Sequence, residues 1–390
     1  MSKRTCLKNL IKQKSKLIVG LNSGTSADGI DAALVKIDGC GLSGSVKFLK
    51  GSIYPFAPKI KARIEKCAEP GFDSAGAWLE LDTVLGELFA VAALRIIKSA
   101  GFKREQISLI GSHGQTIRHL PKTRFGAITH QLADPARIAA RTGITTVGDF
   151  RVADAAAGGQ GAPLTPIANA ILFSRISRQP AILNIGGIAN ISVIARRQKR
   201  LKIFGCDTGP GNMVIDSLSR KLFDKEYDSG GRLANKGLPN WSIINKILME
   251  KFFVLTGPKS TGRENFGQRF VERYLALCCR YSLSKYDTIA TATMLSARAV
   301  YQCVKINKLR FDKLIITGGG VHNRYLINAL QQLLGPADII AADDTGFPAD
   351  YLEAISFATL ANEAINSNRY DLSKVTGSRK AVVLGKICQA

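Results

Sequence analysis

The sequence predicts an α/β protein built from two halves of similar design. In the first half, an apolar run over 17–21 leads into a turn of small polar residues and a second apolar run over 32–37, a pattern typical of strand, turn and strand. The same order recurs in the second half, where strands over 181–184 and 191–194 flank a glycine-rich turn. Long segments such as 75–99 carry a broad apolar stripe, which predicts helices packed on the sheets.

Length and composition indicate a soluble protein of two or three domains. The chain has 390 residues, of which 46% are hydrophobic and 22% charged, and no apolar run approaches the roughly 18 residues of a membrane helix. The glycine-rich stretch over 155–163 is the expected domain junction. We expect a basic N-terminal extension over 1–16, a first lobe over 17–148 plus 368–390, and a second lobe over 149–367.

The net charge of +24 favours anionic partners, and nucleic acid is one alternative. However, the sequence has no zinc-finger spacing and no RNA-recognition signature, and its basic residues are spread along the chain. The one basic cluster consists of Lys3, Arg4, Lys8, Lys12, Lys14 and Lys16, in a segment without the apolar core of a secretion signal. We therefore expect a flexible cytoplasmic extension and small anionic ligands, with neither nucleic acid nor a membrane as partner.

The eight cysteines include no CxxC pair, which favours reduced thiols in a cytoplasmic protein. Cys206 lies beside candidate site residues, and we expect it to be structural.

The turn after the first strand is a candidate phosphate-binding loop. Glycines let backbone N–H groups converge on an anion, and hydroxyl groups add donors. The alternative is an ordinary hairpin turn of Gly, Ser, Asn and Asp. The candidate nucleotide-binding residues here are Gly24, Thr25, Ser26, Ala27, Asp28, Gly29, Ile30 and Asp31.

Polar residues also follow two further strands of the first half, as expected for a site at the edge of an α/β sheet. A strand over 107–110 leads into a polar loop that contains His113, and a strand over 144–147 leads to Asp149 and Arg151. These three residues are candidate substrate contacts. His113 could bind a hydroxyl group or transfer a proton, or it could be hydrogen-bonded within its loop.

The second half carries glycines after two strands. A strand over 201–204 runs into a polar loop that contains Asp207, with a helix beginning near Met213, and a strand over 313–317 precedes three glycines and a helix over 324–334. Neither a Walker loop nor a GxGxxG motif occurs. The pattern predicts a phosphate-binding turn from each half, with the triple glycine against a nucleoside. The candidates are Gly209, Gly211, Asn212, Gly318, Gly319, Gly320 and Asn323.

The motifs together resemble those of the anhydro-N-acetylmuramic acid kinase family. The match runs through NSGTSADGID (22–31), GSHGQT (111–116), TGITTVGDFR (142–151), GGQGAP (158–163), LNIGGIANIS (183–192), DTGPGN (207–212), STGRENF (260–266), GGGVHN (318–323) and ADYLEAISFA (349–358). Two departures are visible: Asn22 stands where the family usually has Met, and the basic segment through Lys16 is an extension.

The resemblance implies a duplicated actin-like, ribonuclease H-like fold with mixed β-sheets flanked by helices and a nucleotide cleft between two lobes. It implies a cytoplasmic peptidoglycan-recycling kinase that converts 1,6-anhydro-N-acetylmuramic acid, ATP and water into N-acetylmuramic acid 6-phosphate and ADP, with Mg²⁺ as metal; a homodimer is compatible with it. It assigns Asp207 as the base that activates water and Glu353 as a second carboxylate near the sugar. From the residues alone, Asp207 could instead cap a turn, and Glu353 could be a solvated helix charge.

Charge complementarity suggests that Arg151 pairs with the lactyl carboxylate of the sugar. Two alternatives are a kinase of this fold for another sugar, and a non-kinase actin-like ATPase whose nucleotide state controls its partners.

Overall fold

A computed structural model describes residues 7–24, 26–173, 175–197, 200–335 and 337–390. The chain divides into two compact units, which we call unit 1 (1–174 and 346–390) and unit 2 (175–345). No helix in the described part of the chain has the length and apolar character needed to cross a membrane.

Both units contain helices and strands in mixed order. The part of unit 1 that precedes unit 2 contains α1 (Leu7–Lys12), β1 (Ser15–Ser23), β2 (Gly29–Asp38), β3 (Ser45–Pro55), α2 (Pro58–Ala68), α3 (Ala75–Ser99), β4 (Ile107–Thr123), β5 (Gly126–Leu132), α4 (Pro135–Thr142), β6 (Thr146–Gly148), α5 (Phe150–Ala156) and α6 (Thr165–Phe173). Unit 2 contains β7 (Pro180–Ile185), β8 (Ile188–Arg197), β9 (Arg200–Pro210), α7 (Asn212–Phe223), α8 (Trp241–Leu248), α9 (Lys251–Val254), α10 (Arg263–Phe266), α11 (Gln268–Arg280), α12 (Lys285–Ile306), β10 (Lys313–Thr317), α13 (Arg324–Leu334) and β11 (Asp338–Ala341). The remainder of unit 1 adds α14 (Leu352–Ile365) and β12 (Lys386–Cys388).

Five strands of the unit 1 sheet repeat the topology of the five-stranded sheet of unit 2. In unit 1 the strand order is β12-β6-β4-β1-β2-β3, with β5 paired to β4, and in unit 2 it is β11-β10-β7-β8-β9. Each unit begins with a three-stranded antiparallel meander, and the fourth strand of the pattern then returns parallel to the first. The repeat confirms the predicted duplicated actin-like, ribonuclease H-like fold of mixed sheets and helices.

Helices cover the sheet of unit 1 by packing against alternate residues of β1. Val19 and Leu21 face a core that includes Leu85 and Phe89 of α3, because successive side chains of a strand point to opposite faces. On the other face, a Cβ atom at Gly20 would overlap the carbonyl group of Ala354. Glycine at this position therefore lets the backbone of α14 lie directly on the strand.

The core of unit 2 forms between its sheet and α12, most of whose residues are buried. Leu183 and Val193 of the sheet belong to the same apolar cluster as Leu295 of α12. Cys206 and Cys303 also lie in this core, with their Sγ atoms 3.0 Å apart. The buried position of Cys206 agrees with the expected structural role.

The boundaries of the two units differ from the predicted lobes. Residues 149–174 and 346–367 belong to unit 1 rather than to the second lobe. The reason is tertiary packing: α5 packs on β5, α6 packs on α14, and α14 packs on β1 and β4. These contacts hold both segments in unit 1 although their sequences resemble a linker or an independent helix.

The glycine-rich stretch is a fixed loop within unit 1, not a domain junction. The buried carboxylate of Asp154 accepts hydrogen bonds from the Gly161 N–H at 2.8 Å and from the Thr376 hydroxyl at 2.7 Å. The Gln160 N–H also donates to the Thr376 carbonyl at 2.9 Å. Glycine at position 159 lets the loop lie against the Asp154 carboxylate, and the predicted domain junction at this position was wrong, because the unit boundary lies after residue 174.

Residues 7–16 of the N-terminal segment form α1 and the start of β1, contrary to the expected flexible extension, and residues 1–6 lie outside the described part. Leu10 of α1 is buried, and the Lys16 ammonium group donates to the Gln13 carbonyl at 2.8 Å. The first strand begins at Ser15. The burial of Leu10 therefore holds α1 against unit 1 although the segment is rich in basic residues.

Two predicted loops belong to strands. Residues 111–116 continue β4, because Gln115 pairs with Leu132 of β5. Residues 205–210 continue β9, because Asp207 pairs with Asn190 of β8. The candidate residues His113 and Asp207 therefore lie in strands. A strand fixes the direction of their side chains more firmly than a loop would.

Candidate functional site

Gln115, which the sequence did not single out, bonds to both Ser23 and Gly24 at the turn between β1 and β2. The Ser23 hydroxyl lies 2.8 Å from the Gly29 carbonyl and 2.5 Å from Oε1 of Gln115. The Gln115 amide in turn donates to the Gly24 carbonyl at 3.2 Å. Gln115 lies in the GSHGQT motif, so its position in β4 is the signal that could have indicated this role.

The candidate side chains of this turn point in different directions. Ala27 and Ile30 are buried in the core of unit 1, so only their backbone groups can serve a ligand. Gly29 packs against the backbone of β3. Ser26 is exposed, and nothing lies within 4 Å of the position of a Cβ atom at Gly24. Thr25 lies outside the described residues.

Asp28 is exposed and pairs with Lys61 of α2, at 2.5 Å between Oδ1 and Nζ. The hydrogen bond from Lys61 lowers the pKa of this carboxyl group. A single lysine therefore balances the negative charge of Asp28 beside the turn.

His113 and Arg151 form one hydrogen-bonded pair in unit 1. The Arg151 Nε donates to Nε2 of His113 at 3.0 Å, and Nδ1 of His113 lies 3.2 Å from the Gly114 carbonyl. An Nδ1–H tautomer satisfies both contacts. Burial, with Arg151 adding to it, lowers the pKa of His113 well below its ordinary value. The imidazole is therefore neutral and orients Arg151, which is half-buried at the start of α5.

Asp149 bonds to a different partner from His113 and Arg151. Its carboxylate binds Lys386 of β12 at 2.7 Å, and its backbone has a positive φ of 53° just before α5. The structure thus gives Asp149 a role in joining β12 to the beginning of α5.

Glu353 lies in the first turn of α14, where it is accessible to solvent. The amide of Asn22 donates to its Oε2 at 2.6 Å. The surrounding protein removes part of its hydration and raises its pKa, whereas the Asn22 hydrogen bond and the charge of Arg151 lower it. Burial also raises the pKa of Asp31 to about 7, and the charge of Glu353 adds to this.

Asp207 of unit 2 is held by the segment that follows α9. Its backbone N–H donates to the Lys259 carbonyl at 2.9 Å, and the Thr261 N–H donates to its Oδ2 at 2.7 Å. Burial is the largest cause that raises its pKa to about 7, and the charge of Glu264 acts in the same direction. A carboxylate with one oriented oxygen and a pKa near neutrality is suited to general base catalysis.

The amide groups after Asp207 are used within the protein. The N–H groups of Gly211 and Asn212 donate to the carbonyls of Gly187 and Gly186 at 2.9 and 2.8 Å. Gly209 packs against Phe253. The expected gathering of helix N–H groups around a phosphate is thus not provided by Gly211 and Asn212, because these two amides already have partners.

A cavity of about 630 Å³ opens beside the start of α7, a volume within the usual range for small-molecule sites. Three predicted residues line it: Asn212, Gly319 and Asn323. Gly319 is the middle residue of the triple glycine. Before it, Gly318 has a φ of +78°, and after it, a Cβ atom at Gly320 would overlap the side chain of Ile185. The triple glycine therefore presents mainly Gly319 to the cavity.

Asp216 is a lining residue that sequence reasoning missed. It lies one turn after Asn212 on α7, so both side chains face the same side of the helix, and this spacing is the signal that could have indicated it. Burial raises its pKa to about 6, with Arg220 acting in the opposite direction. Asp228 also lines the cavity, but its two oxygens accept from the N–H groups of Leu233 and Ala234.

A family model described as anhydro-N-acetylmuramic acid kinase matches residues 16–390. The chain belongs to this family. Relatives named anhydro-N-acetylmuramic acid kinase include proteins of Caldanaerobacter subterraneus subsp. tengcongensis, 41% identical over 98% of this chain and 99% of the relative, and of Clostridioides difficile, 39% identical over 95% and 97%. Another, of Salinibacter ruber, is 38% identical over 97% of each chain.

Membership of the anhydro-N-acetylmuramic acid kinase family makes the chain a kinase and excludes a non-kinase ATPase as its class. A kinase needs a phosphoryl donor, for which ATP is the expected nucleotide. Within unit 1 the structure brings together Asn22, Asp31 and Glu353, and it joins His113 to Arg151. Within unit 2 it places Asp207 on β9 and the cavity beside α7.

Proposed function

We propose that the protein opens 1,6-anhydro-N-acetylmuramic acid with water and phosphorylates O6 with ATP, which gives N-acetylmuramic acid 6-phosphate and ADP. The observation that carries this proposal is the state of Asp207, whose pKa near 7 and single oriented oxygen suit a base. The family membership of the chain supports the choice of sugar. A reaction of this kind recycles peptidoglycan and takes place where ATP is available, in the cytoplasm.

The proposed reaction joins two events, the opening of the anhydro ring by water and the transfer of the γ-phosphoryl group to O6. Asp207 takes a proton from a water molecule, whose oxygen attacks C1 of the sugar while the bond from C1 to O6 breaks. O6 then forms a bond to the γ-phosphorus, and the bond to ADP breaks. Because a base acts on one face and the leaving oxygen departs from the other, inversion at C1 is expected, as in inverting glycosidases.

We assign the sugar contacts to unit 1. Arg151 would bind the lactyl carboxylate through its two terminal NH₂ groups, since its Nε is already bonded to His113. Glu353 is solvent-accessible and would bind a sugar hydroxyl group or the attacking water. The β1–β2 turn, from Gly24 to Asp31, would contact the phosphates.

We assign the nucleoside to the cavity of unit 2. Asp216 would accept hydrogen bonds from the ribose hydroxyl groups, and Gly319 would lie against the nucleoside. Mg²⁺, when bound with ATP, neutralises phosphate charge. Among the described residues no group of three or more His, Cys, Asp or Glu side chains is arranged for a metal. An ion that is held largely by phosphate oxygens and water does not need such a group of side chains.

A coupled assay of ADP release on 1,6-anhydro-N-acetylmuramic acid tests the proposal, with N-acetylmuramic acid and glucose as comparison sugars. In ¹⁸O-labelled water, the product from the anhydro sugar should carry one ¹⁸O at C1 and its phosphate on O6. Asp207→Asn should abolish this product. Equal turnover of a free hexose, or a product without solvent oxygen, would refute it.

A further inference from the structure

Asn22 and Asp31 form a cross-strand pair at the ends of β1 and β2. The two residues are directly opposite in the antiparallel register, so their side chains lie on the same face of the sheet. That face is the one on which α14 packs, because Gly20 of the same strand contacts α14. The pair therefore lies beneath the first turn of α14, where Glu353 is located.

The amide of Asn22 contacts both neighbouring carboxyl groups. Its Nδ2 donates to Oε2 of Glu353 at 2.6 Å, and it is also hydrogen-bonded to Asp31. A side-chain amide carries two N–H donors on one nitrogen. Asn22 itself is only 2% exposed, so its amide is fixed in place by the surrounding protein.

The charges around this amide are mostly of one sign. Asp31 of β2, Glu353 of α14, Asp350 of the turn before α14 and Asp28 of the β1–β2 turn are all acidic, and Arg151 of α5 supplies positive charge. Like charges repel more strongly where water is partly excluded. A neutral donor between two carboxyl groups reduces this repulsion and keeps both in one geometry.

We propose that Asn22 is a positioning residue that holds Oε2 of Glu353 and leaves Oε1 to face the sugar or the attacking water. This inference rests on the proposed function of Glu353. The hydrogen bond to Asp31 fixes the orientation of the amide, so the three residues act as one unit. A purely structural Asn22 would support the end of β1 without affecting the state of Glu353.

The test compares Asn22→Leu, which has a similar shape and no donor, with wild type. We expect kcat to fall at least fivefold while the KM for the sugar changes less than threefold. We also expect the pKa of Glu353 itself to rise, because the Asn22 hydrogen bond lowers it in the wild type. An unchanged kcat together with an unchanged pKa of Glu353 would overturn the inference.

Two controls separate a positioning role from a general loss of structure. Ser23→Ala removes a buried hydroxyl from the next residue of the same strand, which contacts Gly29 and Gln115 rather than Glu353, and it should leave the pKa of Glu353 unchanged. In a Glu353→Gln background, Asn22→Leu should cause little further loss of kcat. Additive losses would show that Asn22 acts independently of Glu353 and would contradict the proposal.

A readout without catalysis keeps this inference distinct from the proposed function. In protein labelled with ¹³C at glutamate carboxyl carbons, the Glu353 resonance is assigned by its absence in Glu353→Gln. Its pKa should rise by about half a unit in Asn22→Leu. An enzyme inactive on the anhydro sugar would refute the proposed function alone, whereas an unmoved Glu353 titration would refute the role of Asn22.

Discussion

Arg151 donates from Nε to Nε2 of His113 at 3.0 Å, and this bond fixes the plane of the guanidinium group. Because His113 is buried and neutral, it accepts this bond without adding positive charge. The two terminal NH₂ groups are left in the arrangement that suits a bidentate carboxylate.

We expect Arg151→Lys to raise the KM for 1,6-anhydro-N-acetylmuramic acid at least tenfold, with a smaller change in kcat. Lysine keeps the charge but loses the planar fork and its bond to His113. Steady-state kinetics with 1,6-anhydro-N-acetylglucosamine, which lacks the lactyl group, provides the control. The variant should affect that sugar little, and an equal effect on both sugars, or a change below twofold, would contradict the assignment.

Asp207 should give kcat/KM an acidic limb with an apparent pKa near 7. The base must be ionised, and its pKa is raised to about 7 by burial, so activity should increase as the pH rises from 6 to 8. Asp207→Asn should lower kcat at least a thousandfold, and a profile flat between pH 6 and 8 would be inconsistent with this base.

Asp207 should also make stability depend on pH. Since its pKa is higher in the folded than in the unfolded protein, the folded state binds the proton more tightly, and stability falls as the pH rises from about 4 to about 7. The amide introduced by Asp207→Asn does not titrate, so the Tm of this variant relative to wild type should be higher at pH 8 than at pH 5. A difference in Tm that is independent of pH would disprove the shift.

Asp216→Asn should raise the KM for ATP about fivefold and reduce the preference for ATP over 2′-deoxyATP. A carboxylate accepts from both ribose hydroxyl groups, whereas an amide offers only one acceptor atom. Asp224→Asn is a matched control at the end of the same helix, outside the cavity lining. Equal KM values for the two variants would argue against ribose binding at Asp216.

Gly20→Ala should destabilise unit 1, because the new Cβ atom would overlap the Ala354 carbonyl and displace α14. Overpacking of this kind costs about 1–3 kcal/mol. Gly76→Ala, in the first turn of α3 with nothing within 4 Å of the new atom, should be neutral or stabilising by up to about 1 kcal/mol. Urea unfolding measures both, and similar midpoints for the two variants would count against close packing at Gly20.

Local signals were sufficient for many elements of the fold. The predicted bounds of α3, β10 and α13 coincide with the structure, and Asn323 caps α13 by accepting from the Leu326 N–H. Such caps and apolar periods are read from neighbouring residues. The catalytic assignment of Asp207 came from family motifs and stays a prediction, which the raised pKa supports.

Long-range pairing decided what the sequence could not predict. The extension of β4 through residues 111–116 depends on β5, and the place of β6 depends on β12. The bond between Asn22 and Glu353 joins residues 331 positions apart. Neither charge nor periodicity near Asn22 indicates this partner, because the contact exists only when α14 lies on Gly20.

The division of unit 1 into two segments also affects how the chain folds during synthesis. All strands of unit 2 are translated before α14, so unit 2 can form its complete sheet on the ribosome while one face of β1 still lacks its helix. The nascent chain would then hold an uncovered apolar surface throughout the translation of residues 175–345. Chaperones that bind such surfaces would therefore meet the first-made strands of this protein rather than the last.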